Sequence, residues 1–213
     1  MIIQEINDSN IDFAISPFGP LILKGHIDDD EKDKLLGITN NLFSTEGSDQ
    51  ILNGDAATVQ NETLKKGKFK IITDDYVNQI IYKIIDFYLS IICHNIKHEV
   101  EDIYETLSVK KTQITSVWCV SMKDGDYHVP HDHVSENTMI SGGIYLDVPK
   151  DNIYPNGCIN WHQPMPGIHL KKNTHTVLPL TNDFYIWPAW LQHSVNTFRS
   201  KNDRKMISFN AYC

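Results

Sequence analysis

From residue 112 onward the chain reads in short runs: ITSVWCVSM (Ile114–Met122), TMISGGIYLDV (Thr138–Val148), GCINWH (Gly157–His162), THTVLPL (Thr174–Leu180), DFYIWP (Asp183–Pro188), HSVNTFR (His193–Arg199) and KMISFNAYC (Lys205–Cys213). Each is rich in β-branched or aromatic residues, which fit a pleated, half-buried surface. Turn signals such as Lys123-Asp124-Gly125 and Pro155-Asn156-Gly157 separate them. With HVPHDH (His128–His133) they make about eight strands at regular spacing, and no helical period intervenes. That is the pattern of an antiparallel barrel or jelly roll.

The first half is different. FAISPFGPLIL (Phe13–Leu23) reads as extended pieces broken by Pro17 and Pro20. The acidic run Asp28–Glu31 suits the first turn of a short helix, where carboxylates meet the positive end of the helix dipole. A longer helix starts near Thr73, which can cap it, with Asp74 and Asp75 in its first turn. Val77, Ile80, Ile81, Ile84, Tyr88, Ile91 and Ile92 then recur at helical spacing and form one apolar stripe. His94 and His98 near its end read as structural or surface residues, and the cluster Lys65, Lys66, Lys68, Lys70 as a solvated loop. The expected fold is α+β and mainly β. A C-terminal double-stranded β-helix (a jelly roll) from residue 112 is braced by N-terminal helices within residues 1–111, as one domain over 1–213.

A net charge of −8 argues against nucleic acid or an anionic membrane as the main partner. The most apolar stretch, Ile80–Cys93, is too short and carries Lys83 and Asp86, so it is not read as a bilayer span. Cys93, Cys119, Cys158 and Cys213 are scattered, without a CxxC pair, and no signal peptide opens the chain. The expectation is a cytoplasmic protein in a reducing compartment.

His128, His131 and His133 crowd into six residues. On a strand, residues i and i+2 share a face, so His131 and His133 can grip one metal ion while Asp132 points away. His128 has the opposite parity and is the weaker candidate. Asp132 joins the site only if the strand is bulged. His193 follows His133 by 60 residues, room for four intervening strands that return the chain to the same place. Three nitrogen ligands leave coordination positions open for water, substrate or dioxygen. A cupin-like set is the alternative: Gly125, five residues, His131-x-His133, with Glu136 as a fourth ligand and Asn196 after His193, each about one residue off that pattern. Neither a Ser/His/Asp arrangement nor a phosphate-binding glycine loop stands out.

The segment Gly125–Phe209 resembles the 2-oxoglutarate/Fe(II)-dependent oxygenases of the prolyl-4-hydroxylase-like superfamily. The pieces that carry the likeness are HDH (His131–His133), SGGIYLDVP (Ser141–Pro149), NGCINWHQP (Asn156–Pro164), YIWPAWLQHSVN (Tyr185–Asn196) and RKMISFN (Arg204–Asn210). The resemblance implies a jelly-roll oxygenase using Fe(II), 2-oxoglutarate and O2, with His131, His133 and His193 as the iron ligands. It implies Arg204 as the partner of the distal carboxylate of 2-oxoglutarate, and Tyr145 as a phenol donor to the same group. It further implies hydroxylation of a C–H bond in a small molecule or a peptide, a prolyl or other amino-acid residue included. The chain departs from the superfamily at three places. His133 stands where an Asp or Glu is usual, Met206 where a hydroxyl is frequent, and Asn182-Asp183 where a turn glycine is usual.

Plainer readings stand beside these. Arg204 alone would be a surface residue in the turn Lys201–Lys205, and Tyr145 alone a core residue. Trp118, Trp161, Trp187 and Trp190 read as barrel core, any one able to line a cleft. His162, His169 and His175 flank turns and read as exposed. Two functional alternatives remain: a cupin-type metalloenzyme that does not use 2-oxoglutarate, and a jelly-roll binding module without catalysis.

Overall fold

The computed structural model describes residues 2–4, 11–15, 20–45, 67–96, 112–135, 137–163 and 173–213. Before residue 112 it holds β1 (Ile2–Gln4), β2 (Ile11–Ile15), β3 (Ile22–His26), α1 (Asp29–Ser44), β4 (Lys68–Ile71) and α2 (Asp75–Ile96). After it come β5 (Gln113–Met122), β6 (His128–His131), β7 (Ile140–Asp147), β8 (Ile159–His162), β9 (Thr174–Val177), β10 (Asp183–Pro188), β11 (His193–Val195) and β12 (Arg204–Tyr212). Every strand-like run named above therefore contributes a strand.

The strands form two sheets, with orders β1-β2-β3-β10-β7-β12-β5-β4 and β6-β11-β8-β9, and the pairing is antiparallel. Residues alternate across the larger sheet. On β7, Ile140, Ile144 and Leu146 join Leu35, Ile81, Ile84, Ile85 and Tyr88 of the helices in one apolar cluster. Tyr145 faces the other way and joins Trp118, Trp161, Tyr185, Trp187 and Met206 between the sheets. The order is thus helices, large sheet, small sheet, and the second cluster fills the barrel.

Three local expectations change. Asp74, not Thr73, caps α2: its Oδ1 accepts the N–H groups of Tyr76 and Val77 at 2.9 and 3.1 Å. A carboxylate meets the helix dipole better than a hydroxyl, which decides between adjacent candidates. Lys68 and Lys70 lie in β4, paired to β5, rather than in a loop. The N-terminal part also adds strands β1 to β4 to both ends of the large sheet, so it braces the barrel by backbone pairing as well as by helices. The turns behave as their residues require: Gly125, Gly157 and Asn182 have φ of 98°, 58° and 76°, the left-handed region that glycine and asparagine tolerate. Cys119, Cys158 and Cys213 are free thiols.

Candidate metal centre

His131 ends β6 and His193 opens β11, and the two residues are direct cross-strand partners. Their rings stand 4.4 Å apart. His133 lies beyond the strand, so strand alternation is not what aims it. The chain turns at Asp132, whose Oδ1 accepts the Val134 N–H at 3.1 Å, and the His133 N–H donates to the Ala189 carbonyl at 2.9 Å. That tie to the β10–β11 connection swings the His133 ring against His193, with Nε2 to Nε2 at 3.3 Å. One nitrogen from each of the three rings falls in a group within 4.8 Å. Asp132 is exposed and engaged in its own turn, and among the described residues it is not part of this group.

The tautomers follow from the backbone. His131 Nδ1 lies 2.8 Å from the Val129 carbonyl and His193 Nδ1 lies 3.1 Å from the Leu191 carbonyl. Each Nδ1–H therefore donates to a carbonyl, and each Nε2 keeps its lone pair for the centre. Burial lowers the pKa of all three imidazoles, His133 to about 3 and His193 well below the ordinary value, and neighbouring histidines add to the effect at His133 and His193. Neutral imidazoles with converging lone pairs fit a divalent transition metal such as Fe(II). The set lacks the carboxylate of the two-histidine, one-carboxylate arrangement, so it neutralises less of the ion's charge. Trp118 packs beside His133 at 6.0 Å and Trp187 beside His193 at 4.9 Å between ring centres.

Arg204 lies inside the barrel, fully buried, and not in a surface turn. It opens β12 with the same parity as Met206 and Ser208, both of which line the histidine cavity. One terminal nitrogen donates to the Gly157 carbonyl at 2.6 Å and the other to the Met122 sulfur at 2.7 Å, while Nε has no partner. The rings of Tyr145 and Phe198 each stand 5.5 Å from the guanidinium carbon. Among the described residues no carboxylate pairs with it. A guanidinium stays charged, and a buried charge without a counter-ion is costly unless an anion arrives. Tyr145 is buried beside it, and burial pushes the phenol up to about 12, so it remains a protonated donor.

The sheet register orders these groups. Along β11, His193 faces His131 and Trp161, and Val195 faces His128 and Ile159. Next, Thr197 accepts the Gly157 N–H, and the Gly157 carbonyl holds Arg204. Layers two residues apart lie about 7 Å from one another. The three-histidine group and His128 thus line one cavity, and Arg204 lies behind its Tyr145 wall, 5.5 Å from that ring. The parity argument against His128 fails because β6 is bulged: the four residues His128 to His131 oppose the three from His193 to Val195. The cavity holds about 30 Å³ and is lined also by Tyr145, Met206 and Ser208. The flexible Met206 side chain lies with its Cε over Gly143, where a side chain would meet it. A separate apolar cavity of about 300 Å³ against α2 carries Trp190 and Val134 but no histidine or carboxylate among its lining.

The other histidines sort differently from expectation. His162 is half-buried, with Nε2 2.9 Å from the Ser194 hydroxyl, and His175 is partly buried against the Trp161 ring at 5.8 Å. Both are strand residues of the small sheet rather than turn flanks, which is why they are covered. Trp190 is 49% exposed and is not barrel core. The Asn196 side chain is spent on Asn160 and the Pro155 carbonyl at 2.8 and 2.9 Å, so the cupin-like carry-over finds no ligand there. His98, His169, Glu136 and the His94 side chain lie outside the described residues.

Comparison with known proteins turns on this geometry. Residues 116–210 match the family described as "Putative 2OG-Fe(II) oxygenase". That match spans β5 to β12 and every residue of the cavity. Members of this family use Fe(II), 2-oxoglutarate and O2. No curated protein matches the chain in sequence. Solved structures share the fold. A Pseudomonas putida prolyl-4-hydroxylase is 12% identical, with TM-score 0.54, over 90% of this chain and 92% of that one. A prolyl hydroxylase from Trichoplax adhaerens, in complex with a hypoxia inducible factor oxygen degradation domain peptide, is 14% identical, with TM-score 0.60, over 92% and 84%. The alpha ketoglutarate dependent epimerase SnoN from nogalamycin biosynthesis is 13% identical, with TM-score 0.60, over 90% and 78%. The fold of this chain is thus the double-stranded β-helix, and the solved structures that share it run more than one kind of reaction. Among the described residues no helix is long and apolar enough to cross a membrane.

Proposed function

We propose that this chain is a 2-oxoglutarate- and Fe(II)-dependent dioxygenase that hydroxylates a C–H bond and converts 2-oxoglutarate to succinate. The observation that carries the reading is a cavity with three converging neutral imidazoles, whose Tyr145 wall is backed by a buried guanidinium that no carboxylate pairs among the described residues. A metal chelated by a 2-oxo acid, whose far carboxylate needs a cation, suits such a cavity.

His131, His133 and His193 hold the metal through Nε2, and the Val129 and Leu191 carbonyls fix the His131 and His193 rings. Bound there, Fe(II) supplies the activation of dioxygen that accompanies oxidative decarboxylation of 2-oxoglutarate. Arg204 binds the distal carboxylate through a charged, forked donor set, and Tyr145 donates its phenol proton to the same group. Trp118, Trp161 and Trp187 keep the cavity dry. The substrate is a small molecule or a peptide, with a prolyl or other amino-acid residue as the candidate target, a reading supported by likeness to the prolyl hydroxylases. The reading takes the protein to act in the cytoplasm, away from nucleic acid and membrane, which the net charge of −8 supports.

The test is succinate release from 2-oxoglutarate under air with Fe(II). Release above a metal-free control is expected, and it should vanish in His131→Ala. Succinate production that is unchanged in that variant refutes the reading. In anaerobic melts the stabilisation by Fe(II) should grow when 2-oxoglutarate is added. A shift with metal alone moves the protein to the cupin-like class.

A further inference from the structure

We propose that His128 is a second binding residue for 2-oxoglutarate, donating its Nε2 hydrogen to a carboxylate of the co-substrate from the wall between the metal ligands and Arg204. The inference rests on the oxygenase reading of the cavity and adds a residue to it.

His128 is 8% exposed and lines the same cavity as the three ligand histidines. Its Nε2 is buried and has no hydrogen-bond partner among the described residues. Such an atom costs free energy until something in the cavity meets it. His128 is not one of the converging group: its ring stands 5.8 Å from that of His131, edge-on, and its nitrogens fall outside the metal set. The β6 bulge is what turns it inward. Without the extra residue, strand alternation would send His128 to the outside. The rest of its layer offers no donor, since its neighbours there are Val195 and Ile159. Across the cavity, β12 presents the Met206 thioether at the register of Tyr145. A five-carbon diacid reaching from the metal to Arg204 must pass this layer. The charged group facing His128 among the described residues is the cation Arg204, which favours an incoming carboxylate, and the ligand imidazoles beside it are neutral.

The test uses protein loaded with Ni(II), which binds 2-oxoglutarate without turnover. Ni(II) affinity, 2-oxoglutarate affinity and metal-free melting temperature are measured for wild type, His128→Leu and His128→Gln. Loss of a hydrogen bond to a charged group weakens binding by about 10- to 100-fold. We expect that loss for 2-oxoglutarate in His128→Leu, unchanged Ni(II) affinity, and partial recovery in His128→Gln, which keeps a donor. Equal 2-oxoglutarate affinity in wild type and His128→Leu overturns the proposal and leaves the oxygenase reading intact. Loss of Ni(II) binding in His128→Leu overturns it too, by making His128 a ligand. A wild type that does not bind 2-oxoglutarate ends both readings. If neither variant folds, the imidazole ¹⁵N resonances of Zn(II)-loaded wild type decide: those of His128 should shift when 2-oxoglutarate is added, and their constancy overturns the assignment.

Discussion

Arg204→Met separates a structural arginine from one held ready for an anion. Methionine keeps a long flexible chain but removes the guanidinium, which is fully buried with no carboxylate partner among the described residues. Replacing a buried ionic group by an apolar one of similar shape is neutral or stabilising by about 1–4 kcal/mol. Against that, the Gly157 carbonyl loses the donor at 2.6 Å, an unsatisfied acceptor worth about 1–3 kcal/mol. The two effects nearly cancel, so the ligand-free variant should lie within about 2 kcal/mol of wild type. For a chain of 213 residues that is within about 8 °C in melting temperature. The effect on 2-oxoglutarate is one-sided. Removing a buried charged partner costs about 2–5 kcal/mol of binding, on the order of 30- to 5,000-fold. Thermal melts of Ni(II)-loaded protein across a 2-oxoglutarate titration read both numbers at once. A ligand-free melting point more than about 12 °C below wild type would make Arg204 a pillar of the fold. A full 2-oxoglutarate shift in the variant would remove it from the site.

Three further outcomes follow from the same geometry. His193→Ala should abolish metal-dependent stabilisation, which for wild type at 100-fold excess over Kd is about 2.7 kcal/mol; a retained shift would place the metal elsewhere. In chelator, the protein should lose stability as pH falls from 7.5 to 5.5. His128, His133 and His193 have folded pKa values depressed by burial, so their contribution is present above the ordinary value near 6.5 and is lost below it. Each such imidazole accounts for up to about 1.4 kcal/mol over that interval, about 4 kcal/mol together, and a change under about 1 kcal/mol in urea unfolding would contradict the burial. Gly142→Ala should destabilise by about 1–3 kcal/mol in the same assay, because its methyl would overlap the Phe209 ring across the β7–β12 pair; an unchanged midpoint would show that the ring moves freely.

Strand content was readable because a half-buried strand must alternate and its turns need particular residues. The runs from Ile114 to Cys213 obey both, and each holds a strand of the barrel. The grouping of His131, His133 and His193 was readable for a different reason: they recur at a spacing that a jelly roll closes. The reason for their convergence was not. Strand parity predicted that His131 and His133 share a face and that His128 does not. Instead β6 stops at His131, a turn at Asp132 and a bond to Ala189 aim His133, and a bulge brings His128 inside. A bulge changes parity without leaving a residue type that marks it. Asp74 over Thr73 and the covering of His162 are smaller cases, decided by neighbours that no local window contains.

By itself, then, the sequence determined which segments are strands, which residues could ligate a metal, and that the chain's charge is acidic. Those properties are local: they depend on side-chain shape, ionisation and period along the chain. Only the tertiary structure decided which faces those residues occupy and that Arg204 is a buried cation without a counter-ion among the described residues. It also decided that the His128 Nε2 lies buried beside the three-histidine group with no partner among them. Those are long-range facts, set by the register of strands sixty or more residues apart. Burial there turns ordinary polar groups into ones that need a partner.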